Sequence, residues 1–255
     1  LSNRSGNWDI WSANIDGTNH RNLTQSVGID ESAPSWSPDG TKIAFSRPSG
    51  VWVMSADGTL PTQIISLTGQ QGIWWSPQGD RLVFSHREPM RYEGDVHVVP
   101  VAANSTSVNL TQSATDNDSS GGWSADGTRI LYTREVATGN GDMDIWTKAP
   151  DGSNGNNLTN APSSYEFVAV WSPDGSQIFF NSDRDGGNKI FRTAWTGGPV
   201  SPVLDDATVV SISPDGQRLL FSRMVGAVQH VGTSNIDGTG VTTFPGTPSE
   251  WAPCE

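Results

Sequence analysis

The chain has one cysteine, Cys254, so an internal disulfide is excluded. A body of 255 residues does not need one, and the scarcity of cysteine says little about compartment. Histidine is nearly as scarce. His20, His86, His97 and His230 show no pair at a ligand spacing, so a histidine-built metal centre is not expected. Basic residues are few as well, with 15 Lys and Arg against 27 Asp and Glu. The formal net charge of −12 excludes nucleic acid as a natural partner and favours cationic ones. No apolar run approaches the length of a bilayer crossing, so no transmembrane segment is expected. No G-x-S-x-G elbow supports a serine hydrolase, and no convincing helical periodicity appears anywhere.

Turn residues and tryptophan are abundant instead: 28 Gly, 16 Pro and 11 Trp. They fall in a pattern. Trp36-Ser37-Pro38-Asp39-Gly40 returns as Trp75-Ser76-Pro77-Gln78-Gly79, Trp123-Ser124-Ala125-Asp126-Gly127 and Trp171-Ser172-Pro173-Asp174-Gly175. Ile212-Ser213-Pro214-Asp215-Gly216 has lost the Trp, and Trp251-Ala252-Pro253 begins a sixth copy. A recurrence every 39 to 48 residues is the mark of a repeat architecture.

Each repeat reads as four short strands. A segment leads into the Trp, and Ser-Pro-Asp-Gly makes a type I turn. An alternating strand then ends in Phe45, Phe84, Tyr132, Phe180 or Phe221. Aliphatic–ring pairs such as Ile10-Trp11, Val51-Trp52 and Ile145-Trp146 mark a third strand, which closes at a second turn such as Asp57-Gly58. Leu23-Thr24, Leu110-Thr111 and Leu158-Thr159 lie in a fourth. The Asn-x-Thr triplets there match glycosylation acceptors but are better explained as part of this strand. Four-stranded units at this period are blades of a β-propeller. The expected fold is all-β, a six-bladed β-propeller of four-stranded antiparallel blades forming one domain over 1–255. The last blade is shared between the two termini, Trp8-Asp9-Ile10-Trp11 giving its third strand and the residues around Trp251 its first. Most of that blade's second strand is missing from both ends, as expected of a piece of a longer protein.

The repeat W-S-P-D-G-x-x-I-x-F-x-S-x-R, followed by D-I-W and D-G, resembles that of the TolB-like six-bladed propellers over essentially the whole chain. The resemblance implies a fold more firmly than an activity. Related propellers serve as periplasmic interaction proteins, as gating domains of prolyl-oligopeptidase-type enzymes and as scaffolds of oligogalacturonate lyases. It also implies that the first strand of each blade lines a central channel.

Five residues before each Trp position stand Glu31, Gln70, Asp118, Glu166, Ala207 and Gly246. With the first strands placed as the resemblance implies, the three acids and the amide approach the channel mouth. Glu31, Asp118 and Glu166 are therefore candidate ligands for a calcium-like cation in that channel, or for a Lys or Arg of a bound peptide. Arg4, Arg47, Arg87, Arg134, Arg184 and Arg223 recur once per blade near the same rim, and the competing expectation is that they pair with these acids as structural salt bridges. The loops after the second strands of blades two and three are long, and the first carries Met90, Arg91 and Tyr92, residue types common at contact hot spots. The functional expectation is a non-catalytic, monomeric binding module of the periplasm or extracellular space, needing no cofactor. Its rim, formed by Glu31, Gln70, Met90, Arg91, Tyr92, Asp118 and Glu166, would take a protein segment or a glycan. The alternatives are a carbohydrate-active enzyme on the same scaffold, with the rim acids and His86 as its chemistry, or the propeller part of a multidomain protein.

Overall fold

Apolar residues fall on both faces of the second strand of most repeats, so each sheet needs cover on two sides. The computed structural model describes residues 1–88, 92–137, 142–226 and 228–244, and among these every element is a strand. They group into two compact units.

The first unit comprises Leu1–Trp123 with Pro150–Gly152. It opens with the pair β1 (Trp11–Ser12) and β2 (Arg21–Asn22). Two four-stranded antiparallel sheets follow. One is β3 (Ser32–Trp36), β4 (Lys42–Arg47), β5 (Gly50–Ser55) and β6 (Thr62–Ile65). The other is β7 (Gln70–Trp75), β8 (Arg81–Arg87), β9 (Gly94–Pro100) and β10 (Val108–Asn109), and β11 (Asn117–Trp123) ends the unit. The second unit, Ser124–Ala149 and the described residues from Ser153 onward, begins with β12 (Ile130–Glu135), β13 (Met143–Lys148) and β14 (Asn156–Asn157). Its two complete sheets are β15 (Glu166–Trp171), β16 (Gln177–Ser182), β17 (Lys189–Ala194) and β18 (Ser201–Asp205), then β19 (Thr208–Ile212), β20 (Arg218–Val225), β21 (Val228–Asn235) and β22 (Thr242–Phe244). In each complete sheet the strands lie in chain order, as successive hairpins. The first strand expected around Trp251, which would complete the shared blade, lies outside the described residues.

No sheet has a core of its own. Ala44, Val51 and Ile64 of one sheet pack with Ile73, Leu82 and Phe84 of the next. In the second unit, Phe179 and Ile190 likewise share a cluster with Val209, Leu219 and Phe221. This mutual burial is why such a unit cannot fold as one repeat.

The Ser-Pro-Asp-Gly turns repeat atom for atom. Gly40 N donates to Ser37 O at 2.9 Å, Ser37 Oγ donates to Asp39 Oδ1 at 2.6 Å, and Thr41 N donates to the same oxygen at 3.0 Å. Gly40 sits at φ 69°, and Gly79, Gly127, Gly175 and Gly216 at 70–71°, where a Cβ would be strained. Hydrogen bonds from Ser37 and from Thr41 hold Asp39 down at about 2.

The fourth strands are short. β2, β10 and β14 end at Asn22, Asn109 and Asn157, but the next N–H, of Leu23, Leu110 and Leu158, still donates to the third strand, at Ile10 O, Val96 O and Ile145 O, 2.8 Å each. The flanking Asn and Thr side chains bond to a carboxylate. Asn22 Nδ2 donates to Asp9 Oδ2 at 2.7 Å, and Thr24 Oγ1 donates to Asp9 Oδ1 at 3.1 Å. Asn109 and Thr111 hold Asp95 in the same way at 2.8 and 2.7 Å, and Asn157 and Thr159 hold Asp144 at 2.8 Å each. The Asn side chains of these triplets are thus tied to a carboxylate.

Candidate functional site

The residue leading into each first strand faces the second strand of its own sheet. Gln70 is opposite His86 and Glu166 opposite Ser182. The registers Ser32↔Ser46 and Thr208↔Ser222 put Glu31 across from Arg47 and Ala207 across from Arg223.

In the first unit, Glu31 is 1% exposed. Arg47 Nε donates to its Oε1 at 3.0 Å, and the guanidinium lies 5.2 Å from the Phe45 ring and 4.8 Å from that of Trp52. Thr24 Oγ1 sits 2.9 Å from Glu31 Oε2, linking it to Asp9. Burial alone would raise Asp9, but hydrogen bonds from Ser5, Asn22, Ser26 and Thr24 outweigh it and hold the group far below the usual range. The rim acid is therefore the middle of a chain running Asp9, Thr24, Glu31, Arg47.

In the next sheet Gln70 takes the place of the acid and His86 that of the arginine. Gln70, buried, donates through Nε2 to Leu67 O. The residue opposite is His86, which corrects the expectation that Arg87 fills the repeated Arg position; Arg87 is one step further and pairs with Gly94. His97 takes the ring's place, stacked on Phe84 at 5.7 Å and meeting His86 edge-on at 5.3 Å. Burial, then the neighbouring His86, push His97 down to about 4, against the pull of Asp95. A cavity of about 10 Å³, room for one water, is lined by His86, Arg87, Asn117 and Asp118 among others. Asp118 itself is buried, and Tyr92 is 63% exposed. Met90 and Arg91 lie outside the described residues.

In the second unit, Glu166 is completely buried. Its Oε1 accepts from Ser164 Oγ at 2.5 Å, Ser182 Oγ at 2.8 Å and Arg184 Nη2 at 3.0 Å. Glu166 Oε2 is buried without a hydrogen-bond partner, and the Asp144 carboxyl is one of the groups that influence Glu166. Burial raises Glu166, and Asp144 adds to the rise against the pull of Ser164, Ser182 and Arg184. Asp144 is lowered, because bonds from Asn157, Thr159 and Ala161 outweigh its burial. Of the two carboxyls, Glu166 is thus the more readily protonated. Arg184 stacks on Phe180 and Phe191 at 5.4 and 5.3 Å.

The last sheet breaks the pattern. Ala207 stands where Glu31, Gln70, Asp118 and Glu166 stand in the earlier repeats, and Arg223 stacks on Phe221 alone, at 4.8 Å. A cavity of about 360 Å³ opens beside them. A larger one, about 540 Å³, lies at the other end of these strands among the turns of Asp174 and Asp215, whose carboxylates are already bonded to Ser172 and Ser213.

Among the described residues no three His, Cys, Asp or Glu side chains assemble into a group that could hold a metal ion. No described helix is long and apolar enough to cross a membrane. Sequence reasoning missed the Asp9, Asp95 and Asp144 clamps, although their signal was present: the Asn-Leu-Thr triplet occurs only where the third strand is preceded by Asp, and is absent after Gly50, Lys189 and His230.

The family model described as the TolB beta propeller domain matches residues 1–140. A curated relative, the protein TolB homolog of Chlorobium luteolum, is 32% identical over 137 residues, which is 52% of this chain and 30% of that protein. The chain thus matches under a third of that relative's length. A solved structure of a candidate TolB from Agrobacterium tumefaciens superposes with a TM-score of 0.72 at 23% identity, covering 91% of this chain and 86% of the other. An oligogalacturonate lyase in complex with manganese superposes with a TM-score of 0.78 at 14% identity, covering 94% and 71%. Identities this low carry the propeller fold and not an activity.

Proposed function

Because the chain belongs to the TolB beta propeller domain family, we propose that it is a non-catalytic binding module of the periplasm or extracellular space. It recognises a protein segment or glycan on the rim, where the buried Glu31, Gln70, Asp118 and Glu166 would shape the leading edges of the blades and Tyr92, with Met90 and Arg91, would supply the contacts. The observation behind the non-catalytic reading is that the acids whose partners are defined are already committed. Glu31 and Glu166 are buried beneath Arg47 and Arg184, so a substrate cannot reach their oxygens without breaking the blade. The reading requires no cation, since Arg47 and Arg184 already lie against Glu31 and Glu166 at 3.0 Å.

The competing enzyme reading has one observation in its favour. Glu166 and Asp144 are adjacent carboxyls with opposite pKa shifts, the arrangement an acid–base pair needs. Complete burial of Glu166 argues that the pair serves the fold instead. The test is a screen of acidic and neutral polysaccharides for new reducing ends or unsaturated products. No turnover is expected; turnover that disappears in Glu166→Gln and Asp118→Asn would establish the enzyme reading in its place.

A further inference from the structure

In the last sheet a repeated structural unit has lost its carboxylate and kept its arginine. In the β3–β4 pair, Arg47 Nε meets Glu31 Oε1 at 3.0 Å. Across from Arg223 the corresponding residue is Ala207, and Arg223 Nε is buried without a hydrogen-bond partner. The atom that finds a carboxylate oxygen in one sheet is the atom left without one in the other. Arg223 has lost a second partner too. The third-strand ring position, Trp52 beside Arg47 and Phe191 beside Arg184, is Gly232 here. A Cβ on Gly232 would come within 2.4 Å of Phe221 Cζ, so the Phe221 ring excludes any larger side chain.

The guanidinium is nonetheless held. Its Nη2 donates to Asp205 O at 3.1 Å, and its plane lies on Phe221. Arg223 lines a cavity of about 360 Å³ together with Ala207, Thr208, Ser222, Met224 and Gln229, and its Nε lies just beneath that surface. That volume is in the range of small-ligand sites and far exceeds one water. A buried guanidinium N–H without an acceptor is costly, and the group that answers it best is a planar carboxylate. Other charges near the cavity are accounted for. Asp206 is exposed at its edge and makes no ion pair with Arg223, Asp205 is paired with Lys189 at 3.4 Å, and His230 lies across the ladder from Arg223 on β21.

We infer that the cavity between Ala207 and Arg223 binds the carboxylate of an acidic side chain in a peptide segment, which takes the place of the missing blade carboxylate. A peptide is favoured over a uronic sugar by the apolar side of the mouth, where Met224 is 60% exposed and Val225 follows it on the strand. The site involves none of the residues in the functional reading above, so the two fail separately.

The test follows the Arg223 Nε–H resonance of the full chain while blocked tripeptides are added that differ only in a central Glu or Gln. The Glu peptide should shift the signal saturably and bind at least about tenfold more tightly than the Gln peptide, the contribution of one charge-assisted bond. Ala207→Glu should abolish that binding while leaving the thermal midpoint equal or higher, because it rebuilds the Glu31–Arg47 arrangement; Arg223→Gln should abolish it too. Equal affinity for the two peptides, or Glu-peptide binding that survives Ala207→Glu, would overturn the inference. A response to digalacturonate and to neither peptide would overturn the assignment to a peptide.

Discussion

At the scale of the residue, this chain separates its carboxylates by what they do to stability as pH changes. Asp39 and Asp174 are held at about 2 by hydrogen bonds from Ser37 and Ser172 and from the turn backbone. Their folded pKa lies below the ordinary 3.8, so their contribution is complete above that value and is lost as pH falls towards 2. Glu166 does the reverse. Its folded pKa lies above the ordinary 4.5, so the native state holds a proton the unfolded chain has released, and the contribution is lost as pH rises past 4.5. The two windows do not overlap. Glu166→Gln keeps the size of the side chain and removes its titrating group. Urea midpoints measured from acid to neutral pH should therefore show the native protein losing stability above 4.5 relative to the variant. The slope is bounded by one proton, about 1.4 kcal/mol per pH unit. Parallel curves for the two proteins above that pH would show that burial does not raise Glu166 above its ordinary value.

At the scale of the element, the repeated Trp is a fastener between consecutive sheets at two of its positions, while Trp171 Nε1 is buried without a partner. Trp75 is 8% exposed and its Nε1 donates to Ser35 O of the preceding first strand at 3.0 Å; Trp123 does the same to Trp74 O at 3.3 Å. Trp36, with no such bond, is 55% exposed. Trp75→Phe should cost about 1–2 kcal/mol by chemical denaturation, the loss of a buried hydrogen bond, while Trp75→Ala should cost about 3–5 kcal/mol through the cavity it leaves. A Trp75→Phe cost near zero would mean that the indole N–H contributes nothing. Much at this scale was legible in the sequence, because turn chemistry and strand alternation are local. Ser37-Pro38-Asp39-Gly40 and the ring at Phe45 are set by their own neighbours. The acid–Arg pairing was legible too, because Glu31 and Arg47 recur in step. What was not legible depends on register. His86 and not Arg87 faces Gln70, and Glu166 faces Ser182 while Arg184 reaches back to it, since hairpins of different length shift the Arg by one or two places. The vacancy at Ala207 was visible as a letter, but its meaning needed the orphaned Nε of Arg223.

At the scale of the whole molecule, the net charge of −12 sets how any partner arrives. A charge this large repels an acidic peptide at long range, yet the carboxylate site at Arg223 attracts it at contact. The two effects differ in reach. Salt screens charges separated by more than the Debye length, about 30 Å at 10 mM and about 8 Å at 150 mM, and acts much less on a partly buried pair. Raising salt over that range should therefore speed association of the Glu peptide while leaving its dissociation nearly unchanged, so that affinity holds or rises. Binding to scattered surface Lys and Arg would behave oppositely, weakening steadily as salt screens the attraction. Stopped-flow rates at several salt concentrations, with Ala207→Glu as the blank, distinguish the two. An affinity that falls steeply with salt would move the acidic peptide from the Arg223 cavity to the exposed surface.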